Sequence, residues 1–384
     1  MPAALDCIEL TRRLIRCPSV TPAEGGALDL VQEVLETLDF TCHRLAFSEP
    51  GTAEVDNLYA RLGTEGANFC YAGHTDVVPV GETAAWSVEP FGGELRDGWV
   101  YGRGAVDMKG SIAAFLAALA SFLERRGPGF GGSISLLITG DEEADAINGT
   151  RKVLRWLTER GERLDACLVG EPTSNERLGD MIKIGRRGSL NGRLTVRGIQ
   201  GHTAYPQLAD NPLHHLVRML ETVLAEPLDR GSEHFPPSTL QLTTIDAGNA
   251  ASNVIPGQAS AAFNVRFNDL HTSDSVADWL RDRLDRKGAD YDLEIRVSGE
   301  SFLCPPGPLS DLIARAVETV LGDRPEFGTT GGTSDARFIK DHAPVVEFGL
   351  LNATAHKVDE RVSVDDLERL STIYGAVLDG TFPQ

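Results

Sequence analysis

Strand-like and helix-like segments alternate through the first 170 residues, and this alternation restricts the fold more than any other feature of the sequence. A helix is predicted to begin at Thr21 and run to about residue 38, with Pro22 in its first turn and Glu24 three residues after the capping hydroxyl. The other predicted helices span 111–123 and 150–160, and the predicted strands span 57–62, 68–72, 133–139 and 166–169. Strands that alternate with helices favour an α/β fold whose sheet is covered on both faces.

A different order of elements fills residues 192–297. The predicted strands there span 193–199, 239–245, 260–267 and 291–297, and the predicted helices span 212–225 and 273–287. This β-α-β-β-α-β order is typical of a ferredoxin-like unit. The first pattern then resumes with a helix at 309–321, a strand at 345–348 and a last helix capped by Ser363. We therefore expect two domains: an α/β domain formed by 1–180 and 298–384, and an α+β domain inserted at 181–297.

The charge and the apolar segments exclude several classes of protein. The chain has 36 Lys and Arg against 56 Asp and Glu, a net charge of −20, which speaks against binding to nucleic acids or anionic membranes. The longest mostly apolar stretch, 112–123, is too short to cross a bilayer, and residues 1–9 lack the apolar core of a signal peptide. The six cysteines are scattered without a CxxC pair, which is typical of reduced thiols. These features indicate a soluble cytoplasmic protein.

Five acidic or histidine-containing clusters lie where predicted strands end. Their chemically active side chains are His74, Asp76, Asp107, Asp141, Glu142, Glu143, Glu171 and His356. Because ligands of open α/β sheets gather at the carboxyl ends of the strands, we expect these segments to meet in one cleft. Solvated loops alone would not place all five clusters at strand ends of one domain.

The types of donor in these clusters indicate a metal site. Imidazole and carboxylate without thiolate suit Zn²⁺, Mn²⁺ or Co²⁺. Two histidines and several carboxylates exceed the three protein ligands of a single catalytic zinc ion, and they match two ions that share one carboxylate. Asp76 could bind the far nitrogen of His74 and fix its tautomer. Of the adjacent Glu142 and Glu143, one can bind metal while the other faces the substrate water as general base.

These motifs resemble the zinc-dependent aminoacylase and carboxypeptidase family, and the resemblance covers essentially the whole chain. It implies a zinc-peptidase-like α/β catalytic domain with an inserted ferredoxin-like domain for dimerisation and closure. It also implies two Zn²⁺ ions per subunit, with Co²⁺ as a substitute. The implied ligands are His74 and Glu171 for one ion, Glu143 and His356 for the other, and Asp107 as the bridge.

The same resemblance assigns roles around the ligands. Glu142 would be the catalytic base, Asp76 would support His74, and the peptide bond between Asp107 and Met108 would be cis. It further implies a homodimer in which His202 reaches the active site of the other subunit and polarises the scissile carbonyl.

Further matches resemble the branch of the family that hydrolyses N-succinyl-LL-2,6-diaminopimelate to succinate and LL-2,6-diaminopimelate, in lysine and diaminopimelate biosynthesis. The planar guanidinium of Arg186 would bind the terminal carboxylate of the succinyl group. Where the family often has a second asparagine beside Asn253, this chain has Ser252. The other substrate-binding residues that the resemblance implies are Ser189, Asn253, Gly332, Thr333 and Asn352.

Two alternative functions remain open at this point. A deacylase or dipeptidase of the same family, such as one that acts on N-acetylornithine, would share the metals and would not need Arg186. A non-catalytic metal-dependent binding protein on the same scaffold would be expected to lack the base, whereas Glu142 is present.

Overall fold

The computed structural model describes residues 5–127 and 129–383. Residues 1–4, 128 and 384 lie outside the described residues. All of them fall within the predicted domain ranges, and residues 1–4 are also part of the N-terminal segment 1–9 considered above. The chain divides into two compact units: the first comprises Met1–Ile184, Cys304–Gly328 and Ser334–Gln384, and the second comprises Gly185–Leu303 and Thr329–Thr333. Among the described residues, no helix has the length and apolar character needed to span a membrane.

The helices and strands are numbered in chain order. The helices are α1 (Cys7–Ile15), α2 (Ala27–Thr37), α3 (Lys109–Arg126), α4 (Thr150–Glu159), α5 (Pro212–Leu224), α6 (Ser273–Asp285), α7 (Pro308–Leu321), α8 (Ala336–Ile339) and α9 (Val364–Thr381). The strands are β1 (Thr41–Phe47), β2 (Val55–Leu62), β3 (Asn68–His74), β4 (Glu94–Arg96), β5 (Trp99–Tyr101), β6 (Ser133–Thr139), β7 (Ala166–Val169), β8 (Met181–Lys183), β9 (Gly185–Arg186), β10 (Gly188–Arg197), β11 (Gly201–His202), β12 (Thr239–Asp246), β13 (Val254–Ile255), β14 (Gln258–Phe267), β15 (Tyr291–Gly299), β16 (Phe302–Leu303), β17 (Glu326–Gly328), β18 (Val345–Glu347) and β19 (Arg361–Ser363).

The first unit is built around a mixed eight-stranded sheet with the strand order β1-β2-β6-β3-β7-β18-β8-β17. Strand β3 runs parallel to β6 on one side and to β7 on the other, and β18 continues the parallel part beside β7. Every residue of β3 and β6 is buried, as expected for strands covered on both faces. The parallel strands end at one edge of the sheet, where His74 of β3 pairs in register with Thr139 of β6.

Helix α3 anchors the core beside this sheet. It packs against α1 and α9, and all of its residues from Lys109 to Leu119 are buried. The ring of Phe115 stacks on that of Tyr71 in β3 at a centroid distance of 4.0 Å, and Tyr374 of α9 meets both rings edge-on. Because α3 begins two residues after Asp107, this packing also anchors the loop that carries Asp107.

The predicted start of the first helix was wrong. Helix α2 begins at Ala27, and the peptide bond between Thr21 and Pro22 is cis. The carboxylate of Glu24, not the hydroxyl of Thr21, satisfies backbone donors at the start of this helix. It accepts hydrogen bonds of 2.7, 2.5 and 3.2 Å from the backbone N–H groups of Gly26, Leu28 and Asp29. A carboxylate is well suited to this position because the N-terminus of a helix carries unpaired donors and partial positive charge.

Replacement of Glu24 by alanine should lower the free energy of unfolding by about 1–2 kcal/mol, because backbone N–H groups lose their acceptor. Denaturant unfolding of the metal-free protein, followed by circular dichroism, measures this change. Glu33→Ala is the matched control, since Glu33 is an exposed residue of the same helix. Equal losses of stability in the two variants would show that Glu24 does not act as a cap.

The second unit contains a four-stranded antiparallel sheet with the order β12-β14-β10-β15. Strand β14 buries every second residue from Ala259 to Phe267, as expected when one face of a sheet packs on a core. Helices α5 and α6 pack against this sheet and against each other. The element order and strand order are those of the predicted ferredoxin-like arrangement.

Candidate metal centre

Two overlapping groups of side chains that could bind a metal ion lie in the first unit, and they share Asp107. His74, Asp107 and Glu171 form one group, and Asp107, Glu143 and His356 form the other; within each, the candidate ligand atoms lie within 4.8 Å of one another. Nε2 of His74 is 3.2 Å from Oδ1 of Asp107 and 3.6 Å from Oε1 of Glu171. Nε2 of His356 is 3.2 Å from Oδ2 of Asp107 and 2.8 Å from Oε1 of Glu143. The two oxygens of Asp107 therefore face two different groups.

The sheet topology explains why residues distant in sequence meet here. His74 is the last residue of β3, Glu143 follows the end of β6, and Glu171 follows the end of β7. These three strands are parallel neighbours, so the segments after them leave the sheet at the same edge. Asp107 comes from the loop before α3, and its peptide bond to Met108 is cis, which confirms that prediction. His356 comes from the segment before β19 and has a left-handed backbone conformation, with φ of 62°.

The two groups fit a pair of divalent metal ions. Each group combines one imidazole with two carboxylates, the donors that suit Zn²⁺, Mn²⁺ or Co²⁺. Two donors that each lie about 2.1 Å from one tetrahedral ion are separated by about 3.4 Å. The separations from each imidazole nitrogen to its carboxylate oxygens, 2.8 to 3.6 Å, bracket that value. A carboxylate with one oxygen toward each group is suited to bridge the two ions.

Asp76 connects the first group to the segment after β6. Its carboxylate is buried and accepts hydrogen bonds from the backbone N–H groups of Glu142, at 3.3 Å, and Glu143, at 3.1 Å. Nδ1 of His74 lies 2.9 Å from the backbone carbonyl oxygen of Asp76 and 3.5 Å from its carboxylate. The carbonyl thus orients the His74 ring with Nδ1 protonated and Nε2 toward Asp107. The carboxylate of Asp76 fixes the backbone that carries both glutamates.

The pKa values of His74, His356 and Asp107 reflect their mutual contacts. Burial opposes the charge of His74, but its hydrogen bonds with Asp107 and Asp76 outweigh burial and raise the pKa of His74 well above its ordinary value. Hydrogen bonds with Asp107 and Glu143 raise the pKa of His356 to about 10. Burial would raise the pKa of Asp107, yet its contacts with the two histidines hold it below the usual range. A bound cation would take the place of the proton on Nε2 of each imidazole.

Glu142 differs from the candidate metal-binding carboxylates in its surroundings. Burial, together with the negative charge of Glu171, raises the pKa of Glu142 well above the usual value for a glutamate. A carboxyl group in such an environment holds a proton more readily, as a general base that later acts as an acid must do.

Three arginines of the second unit, Arg186, Arg187 and Arg266, lie in or beside the predicted carboxylate-binding stretch. The buried Arg186 donates a hydrogen bond of 3.1 Å from Nη1 to the carbonyl oxygen of Gly332. Arg187 lies near Arg266, and burial lowers the pKa of both guanidinium groups, with the neighbouring positive charge adding to the effect at Arg187. Within the described part of the chain, neither Arg187 nor Arg266 forms an ion pair with a carboxylate. Two partly buried cations without such a partner can attract an anionic ligand.

Arg266 was not among the residues predicted from the sequence. It pairs in register with Ser189, across β14 and β10. Its Nε donates to Oδ1 of Asn264 at 2.9 Å, and the amide of Asn264 donates to the hydroxyl of Ser189 at 3.2 Å. In the sequence it is an arginine among the polar positions of an alternating strand, which by itself does not indicate a binding residue.

His202 and Asn253 lie beside each other in the second unit. His202 pairs with Val254 through β11 and β13, and the carbonyl oxygen of Asn253 accepts a 3.0 Å hydrogen bond from the backbone N–H of Thr203. Nδ1 of His202 accepts a hydrogen bond of 3.0 Å from the backbone N–H of Ala204. In the neutral ring the proton therefore lies on Nε2, which is free to donate to a carbonyl oxygen.

The remaining predicted substrate-binding residues are divided between the units. Gly332 and Thr333 belong to the second unit, and Gly332 is held by Arg186 as described. Asn352 belongs to the first unit, where its backbone N–H donates to the carbonyl of Ser174 at 2.9 Å and its side chain is exposed.

An α/β scaffold that gathers two imidazoles and several carboxylates around one shared aspartate defines a two-metal hydrolase centre. Residues 70–380 match the family model described as Peptidase family M20/M25/M40, and the chain belongs to this family. A curated relative from Rhodospirillum centenum, named succinyl-diaminopimelate desuccinylase, is 64% identical over 379 residues, which cover 99% of this chain and 98% of the relative. The resemblance stated from the sequence and the prediction of a metal-dependent enzyme of this family are confirmed.

Solved structures share the fold at low sequence identity. The aminopeptidase PepT from Bacillus cereus has a TM-score of 0.79 and 18% identity, covering 98% of this chain and 99% of that chain. The Bacillus subtilis YXEP protein, described as a dinuclear metal binding peptidase from the M20 family, has a TM-score of 0.69 and 16% identity, covering 98% and 97%. The predicted fold class, a zinc-peptidase-like α/β fold with a second α+β unit, is confirmed.

Proposed function

We propose that this enzyme hydrolyses N-succinyl-LL-2,6-diaminopimelate to succinate and LL-2,6-diaminopimelate, with two Zn²⁺ ions per subunit. The observation that carries the proposal is the 64% identity, over 99% of the chain, to a protein named succinyl-diaminopimelate desuccinylase. The paired donor groups around Asp107 supply the site that amide hydrolysis by this enzyme would need. Co²⁺ suits the same donors and would be an alternative metal.

The geometry of the reacting centre supports the following roles for its residues. When bound, the two ions would polarise the scissile carbonyl and lower the pKa of the attacking water. His74, Glu171, Glu143 and His356 would hold the ions, with Asp107 shared between them. Glu142 would accept the proton of the water and pass it to the leaving amine. Asp76 would keep Glu142 aligned through the hydrogen bond that its carboxylate accepts from the backbone N–H of that residue.

The succinyl group differs from an acetyl group by a terminal carboxylate, and arginines of the second unit would recognise it. Arg186 would bind this carboxylate, with Ser189, Thr333, Asn352 and the Gly332 N–H completing its hydrogen bonds. The positive charge of Arg266, which lies opposite Ser189 in the sheet, would add to the attraction.

Arg186→Ala should raise KM for the succinyl substrate about 10- to 100-fold, because a hydrogen bond to a charged group is worth about 1.5–3 kcal/mol. The kcat should change less, since the guanidinium does not contact the scissile bond. Steady-state kinetics with the succinyl substrate and with N-acetylornithine measure both effects, and the slow reaction of the acetyl substrate should be nearly unaffected. Arg193→Ala, at an exposed position on β10, the next strand along the chain, is the control. An unchanged KM in Arg186→Ala would show that Arg186 does not bind the terminal carboxylate of the substrate.

We also propose a homodimer in which His202, with Asn253 beside it, polarises the scissile carbonyl in the active site of the other subunit. Nε2 of His202 is the nitrogen that can donate to that oxygen. Strand β12 is an edge of its sheet and exposes Ile245, so it offers a surface for pairing across a two-fold axis. Sedimentation velocity tests this part of the proposal, and a monomer would remove His202 from the reaction.

A cytoplasmic location is also part of the proposal, because the six free cysteines fit a reducing compartment.

A direct test of the proposed function compares two substrates on the same zinc-loaded preparation. Hydrolysis of N-succinyl-LL-2,6-diaminopimelate should exceed that of N-acetylornithine in kcat/KM. The opposite preference would assign the chain to another deacylase of the same family. Bound zinc without turnover of any N-acyl amino acid would favour a binding protein.

A further inference from the structure

A buried ion pair lies next to the metal centre in the first unit. Arg103 and Glu360 are separated by 257 positions in the chain, and their side chains are 3% and 0% exposed. Nη1 of Arg103 donates to Oε2 of Glu360 at 2.6 Å. Such a pair contributes little stability compared with apolar side chains of similar size, because both charges lose their hydration. Its contacts with neighbouring segments are therefore of interest.

Glu360 is bonded directly to the loop that carries the shared aspartate. Its Oε1 accepts hydrogen bonds from the backbone N–H groups of Val106, at 2.9 Å, and Asp107, at 3.2 Å. The backbone carbonyl of Glu360 accepts another from the N–H of Gly102, at 2.8 Å. Both ends of the Gly102–Asp107 segment are thus fixed by a single residue.

Arg103 extends these bonds to two further segments. Its Nη2 donates to the carbonyl oxygens of His356 and Pro79, both at 3.4 Å, and its Nη1 donates to that of Lys357 at 3.3 Å. Pro79 follows His74 and Asp76 in the chain. The guanidinium also lies over the ring of Trp86, 5.3 Å from its centroid. One side chain therefore connects the segments that supply His74, Asp107 and His356.

We infer that Arg103 and Glu360 are positioning residues that hold Asp107 and His356 in the geometry required to bind the second metal ion. This inference rests on the proposed function, since it presupposes two ions around Asp107. The second site is the Asp107, Glu143 and His356 group, and it depends on the pair more than the first site does. His74 lies on a buried strand and is 1% exposed, whereas the side chain of His356 is 49% exposed and lies outside any helix or strand.

The contacts assign different parts to the two charges. Glu360 orients the peptide before the shared carboxylate, and Arg103 orients the peptide after His356. Removal of either charge would leave the other unpaired in a buried position, so both segments would shift. Loss of a residue that orients a metal ligand typically weakens metal binding about 10- to 100-fold.

The test is a stepwise zinc titration of the metal-free wild type and of Glu360→Gln, against a chelating dye, at a temperature far below thermal unfolding. The glutamine side chain keeps the size of Glu360 and loses its charge. The expected result is a second binding step weakened by about 10- to 100-fold, with the first step changed by less than about threefold. With zinc fixed at a level that saturates the wild type, kcat should fall and KM for the substrate should stay within about twofold. Added zinc should restore most of kcat.

Two further variants separate positioning from general stability. Arg103→Lys retains a positive charge opposite Glu360 but lacks the planar fork, so it should weaken the second step about tenfold, less than Glu360→Gln does. Glu162→Gln is the matched control: Glu162 forms a partly buried ion pair with Arg61, which pairs with Ser135 at the opposite end of β6 from Thr139. It should lower stability without altering either zinc affinity.

The outcomes are distinguishable. If the wild type binds two zinc ions and the second zinc affinity of Glu360→Gln equals that of the wild type, this inference is wrong and the proposed function is unaffected. A wild type that binds fewer than two zinc ions overturns both this inference and the proposed function. If Glu360→Gln and Arg103→Lys both fail to fold while Glu162→Gln folds, the pair serves the fold rather than the metal, and the inference is wrong.

Discussion

Glu142→Gln should lose about 10³- to 10⁴-fold in kcat while the protein still binds two zinc ions per subunit. The amide has nearly the size of the carboxylate but cannot accept the proton of the attacking water, and a general base contributes up to about 10⁴-fold. The half-buried position of Glu142, beside the two donor groups, makes it the carboxyl group suited to this step. Steady-state kinetics and metal analysis of the same preparation measure both quantities.

The metal content is what makes this experiment specific. A loss of zinc together with activity would mean that Glu142 supports the metal ligands rather than the proton transfer. Near-normal activity would show that another group is the base. Because Asp76 accepts the backbone N–H of Glu142 and not its side chain, the substitution leaves that contact intact.

Asp107→Ala should lose at least one of the two zinc ions, and its kcat should fall on the order of 10³-fold or more. The reason is that a bound metal ion would stabilise the charge of the transition state by several kcal/mol. The effect is large because both groups of ligands contain this one carboxylate. Zinc titration of the metal-free variant and kinetics at saturating zinc test it.

Glu124→Ala provides the control for Asp107→Ala. Glu124 is an exposed carboxylate on α3, the helix that follows Asp107. It should retain two zinc ions and wild-type kinetics. Two ions of wild-type affinity in Asp107→Ala would contradict the shared ligand.

The sequence predicted most of the sheet, because the central strands are mostly apolar segments with sharp ends. Strands β6 and β7 have the predicted bounds, and β3 ends at His74, two residues after its predicted end. Edge and terminal elements were missed. Strand β1 is only partly buried and has a weak pattern, and α1 spans nine residues, although Asp6 caps it by accepting the N–H groups of Ile8 and Glu9.

The site was predictable where chemistry follows strand ends, and not where it depends on contacts between distant segments. His74, Glu143 and Glu171 lie at or after the ends of three neighbouring parallel strands, so the sheet topology brings them together. The ion pair of Arg103 with Glu360 joins two loops that no local pattern connects. The same is true of Arg266, whose position opposite Ser189 depends on strand register.

The most direct test of the central claim is anomalous X-ray diffraction at the zinc edge from crystals of the zinc-loaded protein. The account predicts two peaks on either side of Asp107, one between His74 and Glu171 and the other between Glu143 and His356. A single peak, or peaks that do not flank Asp107, would contradict it.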